Sequence, residues 1–298
     1  MGVMIAANWP DLLETDLRKV YMDQYNRLPM VVPDMFNVIS TSKPYEKDSG
    51  VGDIPDHSEF TGRISVVEPE QAYDKTYTFT EYAAQMQIQR RLKDDDMNRV
   101  IMRYPKGLAT SANRSKEKKG ANVFNLAFTY EPTDGDGAEL CASDHDSNVA
   151  STASQSNEGT YVFSATNVEN VRIAMADFRS DIGEIISVVP DTMILPINLE
   201  QTGWETINSK GKVDTAENNP NFHKGRYSMV VWKRLSDSNN WFMTEIEMQK
   251  EYNLWFNRIP NEFFQDKDSD TMVGKYLSYY RCGTGWLEWR WLMGQLVS

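Results

Sequence analysis

The 298-residue chain is short of cysteine, histidine and positive charge. Its two cysteines, Cys141 and Cys282, lie far apart and have no metal-like spacing, which favours two buried thiols in a reducing compartment. The formal net charge of −12 argues against a dedicated nucleic-acid binder and against an anionic membrane surface as partner, because both need clustered Lys and Arg. No run approaches the roughly 20 apolar residues that span a bilayer, so no membrane helix is predicted.

Motifs that carry catalysis are also scarce. The chain has no glycine-rich phosphate loop, no nucleophile elbow and no His-Glu-x-x-His pair. The most suggestive stretch is Cys141–Asp146, which combines nucleophile, base and acid types. A soluble hydrolase using Asp144 and His145 is therefore one alternative function, although triads are normally assembled by the fold from distant segments. We expect no enzyme activity, no catalytic residues and no cofactor.

A calcium site is the other chemistry that the polar loops suggest. Four aspartates offer oxygen ligands: Asp134, Asp136, Asp144 and Asp146. The twelve-residue calcium-loop template fails, because a loop that starts at Asp134 has His145 where the bidentate Glu belongs. We therefore predict a polar loop and no metal site.

The strongest signal present is a dense aromatic segment near the C-terminus, Arg281–Leu292. Its alternation predicts a strand whose core face carries Leu287, Trp289 and Trp291. The opposite face would carry Trp286, Glu288 and Arg290. Residues on that second face are candidates for contact with a neighbouring subunit as well as with solvent.

Helix and strand patterns follow one another in mixed order, which favours an α+β fold over a doubly wound sheet. Apolar residues at helical spacing over Leu12–Tyr25 predict an N-terminal helix. Polar and turn-forming residues predict a loop over Ser40–His57. Strands are predicted over Phe60–Val67 and, after a break, over Thr76–Leu92.

The predicted strand Thr76–Leu92 contains a slip in its apolar alternation. Tyr77 and Phe79 are apolar at odd positions, whereas the apolar positions from Tyr82 onward are even. A one-residue insertion moves every later side chain to the other face, so we expect a bulge or bend near Glu81. The chain should leave one packing environment and enter another there, as a projecting arm rooted in a core would.

A long helix is predicted to open at Asp94–Asp96 and to run as far as Phe128, with an interruption or kink at Pro105. After these opening aspartates it has one acid, Glu117, and seven basic residues: Arg99, Arg103, Lys106, Arg114, Lys116, Lys118 and Lys119. This pattern indicates either a solvated basic face or a surface that meets an acidic neighbour or a polyanion.

Shorter elements are predicted downstream of a polar loop at Tyr130–Thr160. A capping box at Thr166–Glu169 opens a helix, and a second helix starts at Pro196. Short strands are predicted over Ile185–Val189, Thr192–Leu195, Met229–Trp232 and Trp241–Thr244. The last two are expected to pair with each other across a polar turn.

In this order, the elements resemble a tailed-bacteriophage major capsid protein, and more specifically the Mu-like major head subunit family with its Hong Kong 97-like fold. The local matches are Ala84–Arg90 before Asp94–Asp96, Leu140–His145 with Gln155–Asn157, Ile194–Pro196, Gly225–Arg226, Asn240–Phe242 and Gly283–Arg290. The similarity runs from about Thr61 to the end and rests on the collinear order of these matches. Asp146 departs from the Pro that the family commonly has after the His.

The resemblance implies an α+β Hong Kong 97-like phage capsid fold with five parts. These are an N-terminal arm and helix over 1–39, an E-loop hairpin over 40–92, a P domain with the spine helix over 93–183, an A domain over 184–252, and returning P-domain strands over 253–298. The E-loop would be the projecting arm, and the phase slip would lie where it rejoins the P domain.

The resemblance also implies a function. The chain would be a major capsid protein of the virion that self-assembles in the host cytoplasm into hexamers and pentamers, forming an icosahedral shell around double-stranded DNA without sequence-specific binding. Portal and decoration proteins are expected partners, and the lack of a long helical N-terminal segment implies a separate scaffolding protein or prior processing. No covalent crosslink is predicted at Lys43, Lys47 or Lys75. An encapsulin-like compartment shell is the nearest alternative.

Overall fold

The computed structural model describes residues 10–57, 59–60, 62, 66, 71–89, 91, 101–147, 153–211, 219–268, 271 and 273–298. Its helices are α1 (Pro10–Arg27), α2 (Val32–Met35), α3 (Arg103–Asn125), α4 (Ala165–Ala176), α5 (Glu200–Asn208) and α6 (Ile246–Tyr252). Its strands are β1 (Asn37–Ser40), β2 (Tyr45–Val51), β3 (Gln71–Thr78), β4 (Thr80–Gln89), β5 (Glu158–Gly159), β6 (Thr192–Leu195), β7 (Ser228–Val231), β8 (Trp241–Thr244), β9 (Asn253–Asp268), β10 (Val273–Trp286) and β11 (Leu292–Gln295). The predicted α+β class is confirmed, and none of the helices in these ranges is both long enough and apolar enough to cross a membrane.

The first sheet has four strands in the order β1-β9-β10-β4. β9 and β10 form a long antiparallel hairpin, with β4 antiparallel to β10 and β1 parallel to β9. The predicted N-terminal helix is confirmed as α1, which packs on this sheet. The Tyr21 hydroxyl lies 3.0 Å from Asn261 Oδ1 and 2.6 Å from Ser278 Oγ, and its ring stacks on Phe263. α1 is therefore part of the core and not a loose extension.

The long helix α3 is confirmed over 23 residues, about 34 Å at 1.5 Å per residue. Of the predicted interruption or kink at Pro105, the kink is wrong, because Pro105 lies in the first turn of α3, where its missing N–H leaves no helical bond unmade. An interruption agrees with the turn at residues 101–102, which directly precedes α3. The acidic start at Asp94–Asp96 lies outside the described residues. Near the other end, the buried Phe124 ring contacts aromatic rings from four segments: Phe36, Trp232, Phe242 and Trp291.

The second sheet has five strands in the order β5-β11-β8-β6-β7. Both strands of the predicted Met229–Trp232 and Trp241–Thr244 pair exist, but their direct pairing is wrong. β6 lies between them, parallel to β7 and antiparallel to β8. A parallel pair needs a crossover, and α5 lies in the chain between β6 and β7. Of the predicted strand over Ile185–Val189, only an isolated bridge between Ile185 and Arg179 forms.

The C-terminal segment was predicted as one strand, and that prediction is wrong. β10 ends at Trp286, the chain turns over residues 287–291, and β11 then enters the other sheet between β5 and β8. The turn is closed by Glu288, whose Oε1 accepts hydrogen bonds from the backbone N–H groups of Trp289 and Arg290 at 2.9 and 3.1 Å. One short segment therefore links the two sheets.

The third sheet, here called the arm, consists of β2 and β3 in the part of the chain that the structure describes. The predicted loop over Ser40–His57 is wrong over Tyr45–Val51, which is β2. This strand alternates only between exposed and partly exposed positions, so no apolar alternation marks it in the sequence. Of the predicted strand over Phe60–Val67, only Phe60, Gly62 and Val66 are described, and none of them lies in a strand.

The predicted change of packing environment within Thr76–Leu92 is confirmed, but the break lies at Phe79 instead of Glu81. Before the break, β3 pairs with β2, and Tyr77 and Phe79 pack in a small cluster with Leu254 and Phe256. After it, β4 pairs with β10, and its even positions face α1 and α3. The arm therefore joins the first sheet at Phe79.

Candidate functional site at the root of the arm

Lys75 anchors the arm to the loop that follows α3. Its ammonium lies 2.8 Å from Asp134 Oδ1 and 5.3 Å from the centre of the Trp286 ring. The backbone N–H of Thr76 donates to Asp134 Oδ2 at 2.7 Å. Burial disfavours the carboxylate, but the hydrogen bonds from Lys75 and Thr76 outweigh it and hold the pKa of Asp134 below its ordinary value. Asp134 therefore acts as a structural anchor between arm and body.

His145 is held as a structural residue next to this anchor. Its side chain is 2% exposed, with Nδ1 at 2.6 Å from Asp136 Oδ2 and Nε2 at 3.1 Å from Asn157 Oδ1. Asn157 is itself fixed, because its amide donates to the carbonyl oxygens of Leu140 and Leu292. Both imidazole nitrogens are thus engaged, and neither is available to a substrate.

The remaining members of the Cys141–Asp146 stretch are not arranged for catalysis either. Cys141 is buried, and this burial raises the pKa of its thiol well above the ordinary value, so the reactive thiolate is disfavoured. Asp144 is exposed, whereas His145 is enclosed. The structure therefore gives no support to a hydrolase that uses Asp144 and His145. Cys141 and Cys282 are both free and buried, as predicted.

Arg290 is buried at the same place, which corrects the prediction that it faces a neighbouring subunit. Its Nη1 lies 2.7 Å from Glu288, its Nη2 lies 2.9 Å from Asp181, and its Nε donates to the Arg179 carbonyl at 2.7 Å. Trp286 is also buried, at 8% exposure. The alternation argument failed because the chain turns over residues 287–291 and does not continue as a strand.

A cleft of about 330 Å³ separates the arm from the body. Its charged lining comes from both sides: Asp48, Asp136, Asp146, Asp181, Glu251, Glu288 and Arg290. The four aspartates considered for calcium do not form a cage, because Asp134 is bound to Lys75 and Asp136 to His145. In the described part of the chain, no group of three or more His, Cys, Asp or Glu residues could hold a metal ion.

The basic residues of α3 do not all lie on a solvated face, contrary to the first of the two interpretations. Lys116 is buried, with its ammonium 5.3 Å from the Tyr25 ring centre and 4.7 Å from that of Tyr280. Burial lowers the pKa of Lys116. Glu117 is buried as well, whereas Arg99 lies outside the described residues. Which charges on α3 are buried could not be predicted, because helical spacing alone does not reveal the partners of each side chain.

His223 gives the fold a predicted pH dependence. The side chain is 6% exposed, and burial lowers its pKa below 6.5, in a surrounding that includes Glu169, Arg172 and Arg226. As the pH falls, His223 is therefore protonated in the unfolded chain before it is protonated in the folded chain. The folded state keeps its full stability above about pH 6.5, the pKa of the unfolded histidine. It loses stability as the pH falls from there towards the lower pKa of His223 in the folded chain. We expect His223→Gln to lose less unfolding free energy than the native chain between about pH 7.5 and about pH 5 in urea titrations. Equal losses would contradict this.

The chain is similar to known phage proteins in sequence and in fold. A family model described as phage capsid protein matches residues 72–293. No curated protein sequence matches the chain. Among solved structures, the procapsid of bacteriophage JBD30 is similar with a TM-score of 0.58 and 12% identity, covering 99% of this chain and 77% of that chain.

Two further solved structures are similar to the same degree. The capsid of the native GTA particle has a TM-score of 0.56 and 12% identity, covering 89% of each chain. The structure from Microbacterium phage Oxtober96 has a TM-score of 0.57 and 8% identity, covering 91% of each chain. At such identities the likeness shows the fold, which is the Hong Kong 97-like α+β fold expected from the sequence.

Proposed function

The chain belongs to the phage capsid protein family, and from this membership we propose that its copies assemble into the hexamers and pentamers of an icosahedral shell around a double-stranded DNA genome. One structural observation carries the self-association: the arm pairs with no other described strand and leaves large apolar side chains uncovered. Catalysis has no part in the proposal. We further propose that the subunits assemble in the host cytoplasm and contact scaffolding, portal and decoration proteins.

In this proposal the five parts keep the bounds expected from the sequence. Residues 40–92 form the E-loop, whose described strands are the arm, and residues 93–183 contain the spine helix, whose described part is α3. Residues 184–252 form the A domain around the five-stranded sheet. β11 pairs with β8, so within 253–298 the last strand completes that sheet while β9 and β10 return to the first.

We propose that the arm is covered by a neighbouring subunit. The uncovered apolar side chains are Tyr45 (51% exposed) and Val51 (76%) on β2 of the arm, with Ile54 (57%) and Phe60 (70%) in the segment that follows β2. Exposed apolar surface of this kind, on an arm that is fixed at its root by Lys75 and Asp134, is typical of a contact made on association. Because a single chain cannot close a shell, the partner is a second copy.

Placing a carboxylate at Val51 tests this contact. Val51→Asp should leave the subunit folded and reduce shell yield by roughly tenfold or more, because an unpaired charge buried on association costs several kcal/mol. Shells would be counted by electron microscopy, and folding would be checked by circular dichroism. Val162→Asp is the matched control, since Val162 is also exposed (63%) and lies outside the arm. Normal shell yield from Val51→Asp would show that the end of β2 at Val51 does not lie at a subunit interface.

The contents of purified particles separate this function from its nearest alternative. Particles from infected cells should contain double-stranded DNA and one distinct portal vertex. Particles filled with protein cargo and lacking a portal would instead establish an encapsulin-like compartment and overturn the proposed role in genome packaging.

A further inference from the structure

Four exposed basic residues lie along one side of α3 in two pairs, Arg103 with Lys106 and Arg114 with Lys118, and are here called the stripe. At 100° per residue they fall within an arc of about 120°, and the stripe is about 22 Å long at 1.5 Å per residue. The exposed residues between them within this arc are Gly107 and Thr110. The stripe itself is therefore cationic and polar along its length, and an apolar recess formed by Met86, Tyr104 and Leu108 lies beside its first pair.

The positive charge of the stripe is not neutralised by the chain itself. Within the described ranges, none of its four side chains forms an ion pair. Lys43, Arg172 and Lys275 do form one, with Glu46, Glu169 and Asp268, whereas the described exposed lysines Lys224 and Lys250 do not. The one acid on α3, Glu117, is buried and bound to backbone N–H groups of Val31 and Val32. A chain of net charge −12 thus carries a local positive field on this helix.

The composition of the stripe favours a polyanion over a protein as its partner. Protein interfaces are built around an apolar, aromatic centre from which Lys is depleted. Phosphate backbones are instead bound by rows of Lys and Arg that need no apolar contact. The repeated anionic polymer that the proposed shell encloses is duplex DNA.

We propose that the stripe contacts the phosphate backbone of duplex DNA, so that this face of α3 lines the interior of the shell. This inference rests on the proposed enclosure of DNA. Four neutralised phosphates give a slope of about −3.6 for log K against log salt, at about −0.9 for each phosphate. The net charge of −12 opposes binding at long range, so a single subunit binds weakly and only at low salt, while many copies act together in a shell.

Salt-dependent binding of a labelled 20-base-pair duplex to unassembled subunits tests the proposal, with fluorescence anisotropy as readout. The native chain should give a slope of about −3.6, and Lys106→Glu with Arg114→Glu should reduce its magnitude by about 1.8. The control is Lys224→Glu with Lys250→Glu, which makes the same charge change at two exposed lysines outside the stripe. Equal losses in both double variants, or no binding by the native chain at about 20 mM salt, would overturn the proposal.

Assembly of the two double variants distinguishes failure of this inference from failure of the proposed function. Shells from the stripe variant that are normal in form but hold less DNA than control shells would support the proposal. If the stripe variant forms no shells while the control does, the stripe is a protein interface, and the inference is overturned while the capsid function stands.

Discussion

Replacing Trp289 with alanine should destabilise the subunit by about 3–5 kcal/mol and abolish shell formation. The ring is 5% exposed and stacks on the His145 imidazole, with centroids 4.2 Å apart and an interplanar angle of 7°. Phe178 meets it edge-on at 5.3 Å, and the Arg290 guanidinium lies 4.8 Å from its centre. Truncation would leave a cavity beside two buried polar clusters, those of His145 and Arg290, and would loosen both.

Chemical unfolding of Trp289→Ala measures this loss, and Trp204→Ala is the matched control. Trp204 is 58% exposed on α5, so its truncation should change the unfolding free energy by no more than about 0.5 kcal/mol. If the two variants unfolded at the same urea concentration, Trp289 would not be a core residue of the isolated subunit.

Replacing Glu117 with alanine should cost roughly 3 kcal/mol or more, because three donors lose their acceptor at once. Glu117 Oε1 accepts from the backbone N–H groups of Val31 and Val32 at 2.8 and 3.1 Å, and Oε2 accepts from Trp232 Nε1 at 3.0 Å. Each buried donor left unpaired costs about 1–3 kcal/mol. Glu117 joins α2, α3 and the end of β7, so its loss should loosen all three together.

The amide variant makes this prediction specific. Glu117→Gln retains an oxygen for Val31 and Val32 but turns an NH₂ group towards Trp232, so it should be intermediate between Glu117→Ala and the native chain. Lys118→Ala, at an exposed position on the same helix, should lie within about 0.5 kcal/mol of the native chain. Thermal unfolding of the four proteins gives the order. If Glu117→Gln were as stable as the native chain, the bond to Trp232 would contribute nothing.

The sequence predicted those elements whose burial follows a regular period. On α4, Val168, Val171 and Met175 recur at helical spacing, and all three are fully buried. β2 shows no such period because both of its faces are open to solvent, so polar residues are tolerated throughout. The end of β10 was not predicted for another reason. The turn after it is closed by the Glu288 carboxylate, which accepts hydrogen bonds from two backbone N–H groups, and a single acid in an aromatic run is not a recognisable turn signal.

The polar contacts at the root of the arm could not have been derived from spacing. Lys75 and Asp134 are 59 positions apart, and Asn157 lies 135 positions from the Leu292 carbonyl that it binds. Residues so distant in sequence meet only through the tertiary fold. The family resemblance was informative where these local patterns were not, because it depended on the order of many weak matches along the chain.

The position of β11 has a consequence for how copies are made in the cell. β11 lies between β5 and β8, so the five-stranded sheet is divided until residues 292–295 have been synthesised and have entered it. A nascent or prematurely terminated chain that lacks this strand would keep two open sheet edges and an incomplete core. We therefore expect a chain truncated before residue 292 to be excluded from a shell in which every copy must fit its neighbours.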